Sequence, residues 1–536
     1  VRTEKLNRRA KKTKAAPKAA LNHGLVLGEN VHLGETRMVT LNSNQRVRHT
    51  HVIGASGTGK STLLLNLILQ DIRNGEGVAV LDPHGDLIDT ILEYIPEERF
   101  EDVIVLDPSD EEYVIGFNIL SAHSDLEKNL LASDFVAVFR RLSTAWGDQM
   151  TSVFSNAVLA FLESTQGGTL ADLRRFLIEP SFRTEFLKTV TDPEVVYYWT
   201  RAYPLLSGRP QAPIITRLDA FLRPKPIRNM VSQKENRLNF AEIMNGGKIL
   251  LARLSQGAIG EENAYLFGSL LVSKFHQLVM GRQETREEDR RDFWLYIDEF
   301  QNFSTPSMAS ILSGARKYRL GLTLAHQELR QLEARDPDVA SAVLANACTR
   351  ICFRLGDQDA RKLENGFSFF KADDMQSLGI GEAVCRIERA DFDFNLTTAL
   401  LPKVDKTIAE EKRRRIITLS REKYGIRREN LPIEPRMEFE VEKPSIVQPK
   451  KEEVRVLKED VPSARESVPI HAIVESERKR SSVPVQPGRG GREHKYLQFL
   501  IKKQADDLGY LSVIEKSILD GKGSVDVALQ KAECSI

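Results

Sequence analysis

The stretch from His49 to Asp86 reads HTHVIGASGTGKSTLLLNLILQDIRNGEGVAVLDPHGD. It opens with a short apolar run, HTHVIG, passes through a glycine-rich loop and continues as STLLLNLILQDI, where helical spacing and length predict a helix from Ser61 to Ile72. VAVLD at 78–82 then has the unbroken apolar character of a strand buried on both faces. The loop Gly54-Ala55-Ser56-Gly57-Thr58-Gly59-Lys60-Ser61 satisfies GxxxxGK(S/T) and sits between a strand and a helix, as the mechanism of a P-loop requires. Glycines let the backbone curl so that its N–H groups and the helix N-terminus face phosphates. Lys60 is then placed to reach the β and γ oxygens of ATP and Ser61 to ligate Mg²⁺, with Thr62 supporting the helix start.

Working outward, a helix at Leu87–Tyr94 and a third apolar strand, DVIVLD at 102–107, continue the alternation that gives a parallel sheet covered by helices, so the fold class is α/β. From about 121 to 235 the strand signal vanishes and amphipathic segments such as DFVAVFRRL and TSVFSNAVLAFLE predict an all-helical insertion. Strands return at KILLARL (248–254), FWLYID (293–298), LGLTLA (320–325) and RICFRL (350–355), so the core is expected to span 24–120 and 236–400. Residues 1–23 read as a basic flexible arm, with eight Lys/Arg against Glu4 in the first twenty. Residues 401–430 form a charged helical segment whose run Lys412–Arg415 meets either phosphate or solvent. Residues 431–491 read as a disordered linker, since 432–487 hold 8 of the 22 prolines and Phe439 is their one aromatic residue. A small α+β segment at 492–536 ends the chain.

Composition bounds the function. With 76 Lys+Arg against 75 Asp+Glu in 536 residues, a uniformly basic coat is excluded and any nucleic-acid site must be local. Four cysteines (Cys348, Cys352, Cys385, Cys534) exclude a disulfide scaffold and fit a reducing cytosol. No apolar run reaches membrane-spanning length, so a cytoplasmic protein is expected, either free or recruited to the inner face of the cell membrane. The chain begins at Val1, which leaves room for an upstream anchor.

P-loop chemistry also needs carboxylates. In FWLYIDEF, Asp298 ends an apolar strand where it can join the Mg²⁺ shell, and Glu299 follows as candidate general base. Gln327, at the end of LGLTLAHQ, is a candidate γ-phosphate sensor, with strand capping as the alternative. Arg316 is a candidate arginine finger offered to a neighbouring subunit, in competition with Lys317, Arg319, Arg350 and Arg354. Asp82-Pro83-His84-Gly85-Asp86 follows a strand's C-terminal end, where it serves either ligand binding or a structural turn; His84 and Asp86 lack metal-ligand partners.

The P-loop, DPHGDL at 82–87, GGKILLARLSQGAIGEENAYLFGSLL at 246–271, IDEF and LAHQ, in that order, resemble the conjugative coupling-protein ATPases of type IV secretion, the TraG/TraD-like family, with the HerA/FtsK DNA translocases as the wider group. The resemblance covers about residues 24–400. It implies a RecA-like P-loop NTPase core with an inserted all-α domain, six subunits in a ring, ATP and Mg²⁺ as cofactors, and DNA driven through the channel, with relaxase and secretion-channel proteins as partners. It places nucleotide and Mg²⁺ on Lys60 and Ser61, catalysis on Asp298 and Glu299, sensing on Gln327 and the finger on Arg316. Two other functions fit the same motifs: a HerA-like translocase serving DNA processing, and a nucleotide-gated adaptor that recruits relaxase or effector proteins. The tail, REHKYLQFLIKKQADDLGY, LSVIEKSIL and GSVDVALQK, resembles the start of a PD-(D/E)xK nuclease-like fold with Asp526 at its metal-binding Asp. Glu533 offers a second carboxylate, but Ser535 stands where the Lys belongs, so this segment is expected to be partial and inactive.

Overall fold

The computed structural model describes residues 11–21, 23–122, 124–142 and 146–431, together with 501, 511–518, 523–531 and 534–535. Contacts divide the chain into two compact units, Val1–Met437 and Glu438–Ile536.

The first unit is built on an eleven-stranded sheet. In chain order its strands are β1 (Leu25–His32), β2 (Glu35–Leu41), β3 (Thr50–Ile53), β4 (Gly77–Asp82) and β5 (Val103–Leu106). A short β6 (Tyr113–Val114) stands apart and pairs with Ile426–Arg427. The main sheet then resumes with β7 (Ile249–Arg253), β8 (Phe293–Ile297), β9 (Leu320–His326), β10 (Thr349–Cys352), β11 (Glu382–Ile387) and β12 (Asp393–Thr397). The spatial order is β2-β1-β12-β11-β10-β3-β9-β8-β4-β7-β5. All pairs from β10 through β5 are parallel, whereas β11, β12, β1 and β2 extend the sheet antiparallel.

Every residue of β3, β4, β8, β9 and β10 is buried, which is why these strands read as continuous apolar runs. Alternate residues feed two cores. Val78, Val80, Trp294 and Tyr296 face helices Lys60–Arg73, Asp86–Tyr94 and Lys406–Tyr424, while Ala79, Leu81, Leu295 and Ile297 face the other layer. That second layer contains helix Glu261–Gly281 and the helices that fill 125–231, which carry a nested aromatic core of Phe161, Phe176, Phe186 and Trp199.

Two charged segments behave differently from a free arm and a phosphate-binding run. Residues 11–20 are docked on the antiparallel extension: Lys12 pairs with Asp374 at 2.7 Å, Lys11 with Glu382 and Lys14 with Asp393. Asn30 knits the backbone there, accepting from Ala16 N–H and donating to the Lys14 and Asn395 carbonyls. The flexible-arm expectation fails for these residues because the partner carboxylates lie more than 360 positions away in sequence. In helix Lys406–Tyr424, Arg413 donates to Glu93 at 2.9 Å and Arg415 reaches Glu97 at 3.4 Å, so these two cations of the basic run face carboxylates.

In the second unit Leu511–Ile518 and Gly523–Lys531 form an antiparallel pair, joined by Cys534–Ser535. Asp526 lies on the middle strand. The helix expected near 492–510 falls outside the described residues except for Ile501, as do Glu533 and the linker beyond Leu431. No helix among the described residues is long and apolar enough to cross a membrane.

One buried ion pair locks the sheet to its covering helix. Arg46 donates to both oxygens of Asp71, at 2.8 and 2.6 Å, stacks 3.5 Å over Trp294, and shares Asp71 with the Tyr296 hydroxyl. Replacing Arg46 by Ala strands a fully buried carboxylate and should cost about 3–5 kcal/mol in urea unfolding. Adding Asp71→Asn should restore part of it, and a single-variant loss under about 1 kcal/mol would show that the pair does not lock the layers.

Candidate active site

Strand β3 stops at Ile53 and the chain curls through Gly54–Gly59 into helix Lys60–Arg73. Gly57 and Gly59 have φ of +71° and +122°, a region that side chains disfavour. At Gly54 a Cβ would lie 2.6 Å from that of Phe353, so the loop packs flush against the residue after β10. Its backbone is pinned from three sides. Ala55 N–H donates to Arg354 O (2.9 Å), Gly54 N–H to His326 O (3.3 Å), and Gly381 N–H to Thr58 O (2.9 Å).

Lys60 opens the helix, and its Nζ donates to the Gly54 and Ala55 carbonyls at 2.7 and 3.2 Å. Burial lowers its pKa, opposed by the charges of Glu299 and Asp298. Those two carboxylates come from the end of β8, two strands from β3 across β9. Asp298 N–H donates to Leu81 O (3.1 Å) and its Oδ1 accepts from Glu299 N–H (3.0 Å). Burial, reinforced by Glu299 and Asp82, pushes Asp298 up to about 6. Glu299 adopts φ +47°. Its Oε1 accepts from Gln327 Nε2 at 2.6 Å and its Oε2 from Gln301 Nε2 at 2.8 Å. Lys60, Asp298, Glu299 and Gln327 therefore converge at the C-terminal ends of neighbouring parallel strands, where ligands bind in open α/β sheets.

Other sequence candidates are distributed differently. Asp82 is spent on a turn: it accepts from the N–H groups of His84, Leu87 and Ile88 and caps helix Asp86–Tyr94. Its charge still bears on Asp298. Arg316 is exposed in the turn Ala315–Tyr318 that precedes β9, whereas Gln327 follows β9. Seven strand residues at about 3.3 Å each separate the two levels, so this chain does not bring Arg316 to its own Lys60. Arg319 is held by Asp292 and Arg350 by the Leu344 carbonyl. Arg354 is exposed beside the P-loop.

The sequence reading missed two features. His51 of β3 and His326 of β9 stack with centroids 5.0 Å apart and share an Nε2···Nε2 hydrogen bond of 2.7 Å. Burial lowers His326 to about 4 and His51 well below its usual value, so both rings are neutral and brace the P-loop strand against the Gln327 strand. The second feature is Gln301, two residues past Glu299 and 5% exposed. The two histidines stand in plain view in HTHVIG and LAHQ, but nothing local pairs them.

Among the described residues no group of three or more His, Cys, Asp or Glu is arranged to hold a metal. The hard oxygens available are the Asp298 carboxylate and the exposed Ser61 hydroxyl, a sparse set of the kind Mg²⁺ uses when phosphates and water complete its shell. The repulsion that Glu299 and Asp82 exert on Asp298 is what a cation there would relieve.

A sequence model of the type IV secretion-system coupling protein DNA-binding domain matches residues 35–367, more than half of the chain. The chain belongs to that family. No curated protein matches it by sequence. Among solved structures, the plasmid coupling protein TrwB in complex with the GTP analogue GDPNP aligns with a TM-score of 0.51 at 17% identity, covering 69% of this chain and 89% of that one. TrwB in complex with ADP and Mg²⁺ aligns at 0.53 and 16%, covering 75% and 96%. At such identities the likeness is one of fold, and it bears out the coupling-protein architecture expected from motif order: a mostly parallel P-loop core with an all-helical region.

Asp298 supplies a test of the site's electrostatics in the coupling-protein chain alone. Its native pKa lies above its unfolded value, so the ionisation penalty is absent near pH 4, grows as pH rises and is complete above about 6. The shift corresponds to roughly 2–3 kcal/mol. Asp298→Asn should therefore raise the melting temperature at pH 7.5 and change it little at pH 4. An equal effect at both values would refute the charge crowding.

Proposed function

We propose that this chain is a Mg²⁺-dependent ATPase that works in a homo-hexameric ring to move DNA during conjugative, type IV secretion-like transfer. The observation that carries the reading is the convergence of Lys60 with Asp298, Glu299 and Gln327 at the mouth of β3, β9 and β8. Support also comes from the family's description as a DNA-binding domain and from the ADP–Mg²⁺ and ATP-analogue complexes of TrwB.

In this reading Lys60 trades the Gly54 and Ala55 carbonyls for β- and γ-phosphate oxygens, and the amides of Gly54–Ser61 cradle the same groups. Ser61 and Asp298 hold Mg²⁺, which when bound screens phosphate charge. Glu299 takes the proton of the attacking water as general base. Gln327, bonded to Glu299, registers the γ-phosphate and its loss. Arg316, set at the opposite level of its own sheet, acts on the nucleotide of the next subunit. The protein works in the cytoplasm, either free or recruited to the inner membrane face, with relaxase and secretion-channel proteins as partners. The segment 492–536 is a nuclease-like appendage without cleavage activity, since Ser535 stands where the Lys belongs.

Lys60→Ala and Glu299→Gln should each abolish ATP turnover while leaving the melting temperature close to wild type. Hydrolysis at the wild-type rate by either folded variant would overturn the site. Mixed rings of Arg316→Ala and Lys60→Ala subunits should regain activity at interfaces that pair an intact finger with an intact P-loop. Verified mixed rings with no recovery would remove Arg316 from that role.

A further inference from the structure

The loop that follows Glu299 is gripped by more side chains than a simple turn needs. Gln301 donates one amide hydrogen to Glu299 Oε2 (2.8 Å) and the other to Gln331 Oε1 (3.1 Å). Its amide orientation is fixed by chemistry, because an ionised carboxylate only accepts. Gln301 Oε1 is buried with no partner among the described residues, so its fold value lies in the two donated bonds. Gln331 is exposed on helix Leu329–Arg335. A continuous polar path thus runs from the surface, through Gln331 and Gln301, to the carboxylate of Glu299.

Two arginines hold the same loop further along. Arg335, one helical turn past Gln331, donates to Asn302 Oδ1 at 2.6 Å. Arg141, the last residue of helix Asp125–Arg141 in the all-helical region, donates to the carbonyl and hydroxyl of Ser304, the latter at 3.2 Å. Arg335 is exposed, Arg141 keeps exposed surface although its guanidinium is partly enclosed, and among the described residues neither makes an ion pair with a carboxylate. Burial first and the charge of Arg335 second lower the pKa of Arg141, partly offset by Asp336, so the two guanidiniums repel across the loop. Such a pair, using its donors on neutral oxygens, is a site where a phosphodiester gains charge-assisted hydrogen bonds.

We infer that residues 301–304 form a relay in which nucleic-acid phosphates binding to Arg141 and Arg335 withdraw the grip on the loop and, through Gln301, release Glu299 for catalysis. This makes Gln301 a positioning residue and rests on the ATPase reading above. Phosphate competes with Ser304 and Asn302 for the guanidinium donors, the loop shifts, and the Gln301 bond that occupies Glu299 Oε2 is lost. DNA would then speed hydrolysis without touching the nucleotide.

ATP turnover of the full chain with and without single- and double-stranded DNA tests this. Gln301→Ala should raise DNA-free kcat by about tenfold, the effect of one hydrogen bond to a charged group, with KM for ATP unchanged and the stimulation by DNA correspondingly reduced. Gln331→Ala, at an exposed position whose side chain reaches the loop through that one hydrogen bond, should act in the same direction and carries the test if Gln301→Ala does not fold. Arg141→Gln with Arg335→Gln, which loosens the same grip, should raise DNA-free kcat and also raise the DNA concentration for half-maximal stimulation by about tenfold. Folded Gln301→Ala and Gln331→Ala chains with wild-type DNA-free turnover and wild-type stimulation would overturn the relay and leave the ATPase reading standing. A wild-type chain that hydrolyses ATP but ignores DNA would likewise overturn the relay alone, whereas one that hydrolyses none would overturn both.

Discussion

How the chain leaves β8 decides the geometry of the whole site. Five buried residues, Phe293–Ile297, deliver Asp298, and Glu299 then turns at φ +47°, a left-handed conformation that costs a non-glycine residue of order 1–3 kcal/mol. The turn persists because its surroundings hold it: Gln327 binds one carboxylate oxygen, and Asn302 N–H closes onto the Glu299 carbonyl at 3.0 Å, while Gln301 occupies the other oxygen in the resting chain. An ordinary extended exit would carry the carboxylate onward along the strand direction. The strained turn instead keeps Glu299 beside Gln327 and within the field of Lys60.

Around that turn the charges are deliberately unbalanced. Asp298 is buried in the field of two further carboxylates, Glu299 and Asp82, and Lys60 is itself pushed down by burial. The His51–His326 brace adds rigidity with no further charge, since both rings stay neutral. Such crowding is unfavourable for the chain by itself and favourable for a ligand that brings both a cation and phosphate. This is the usual conflict between stability and function at a site.

What was legible in the sequence was what is local. The P-loop, the apolar strands β3, β4, β5, β7, β8, β9 and β10 and the helical stretch between β6 and β7 each announce themselves within a few residues, and Asp298, Glu299 and Gln327 follow from their places at strand ends. Pairings across hundreds of residues left no such trace. The strands β11 and β12, the docking of residues 11–20 on them, and the histidine brace all depend on partners far off in sequence. Gln301 was hidden for a different reason: a glutamine after an apolar strand looks like any polar turn residue until Glu299 and Gln331 are seen on either side of it. Asp82 shows the converse, since its place at the end of a strand left ligand binding and a structural turn both open, and its oxygens are taken by backbone amides.

The central claim is that this cluster is a phosphate-transfer site fitted to a nucleotide and a divalent cation. Release of inorganic phosphate from ATP by the purified chain, followed with excess Mg²⁺ and again with EDTA, addresses it most directly. The account requires sustained release with Mg²⁺ that EDTA abolishes. Absence of release under both conditions, or release indifferent to EDTA, would contradict it.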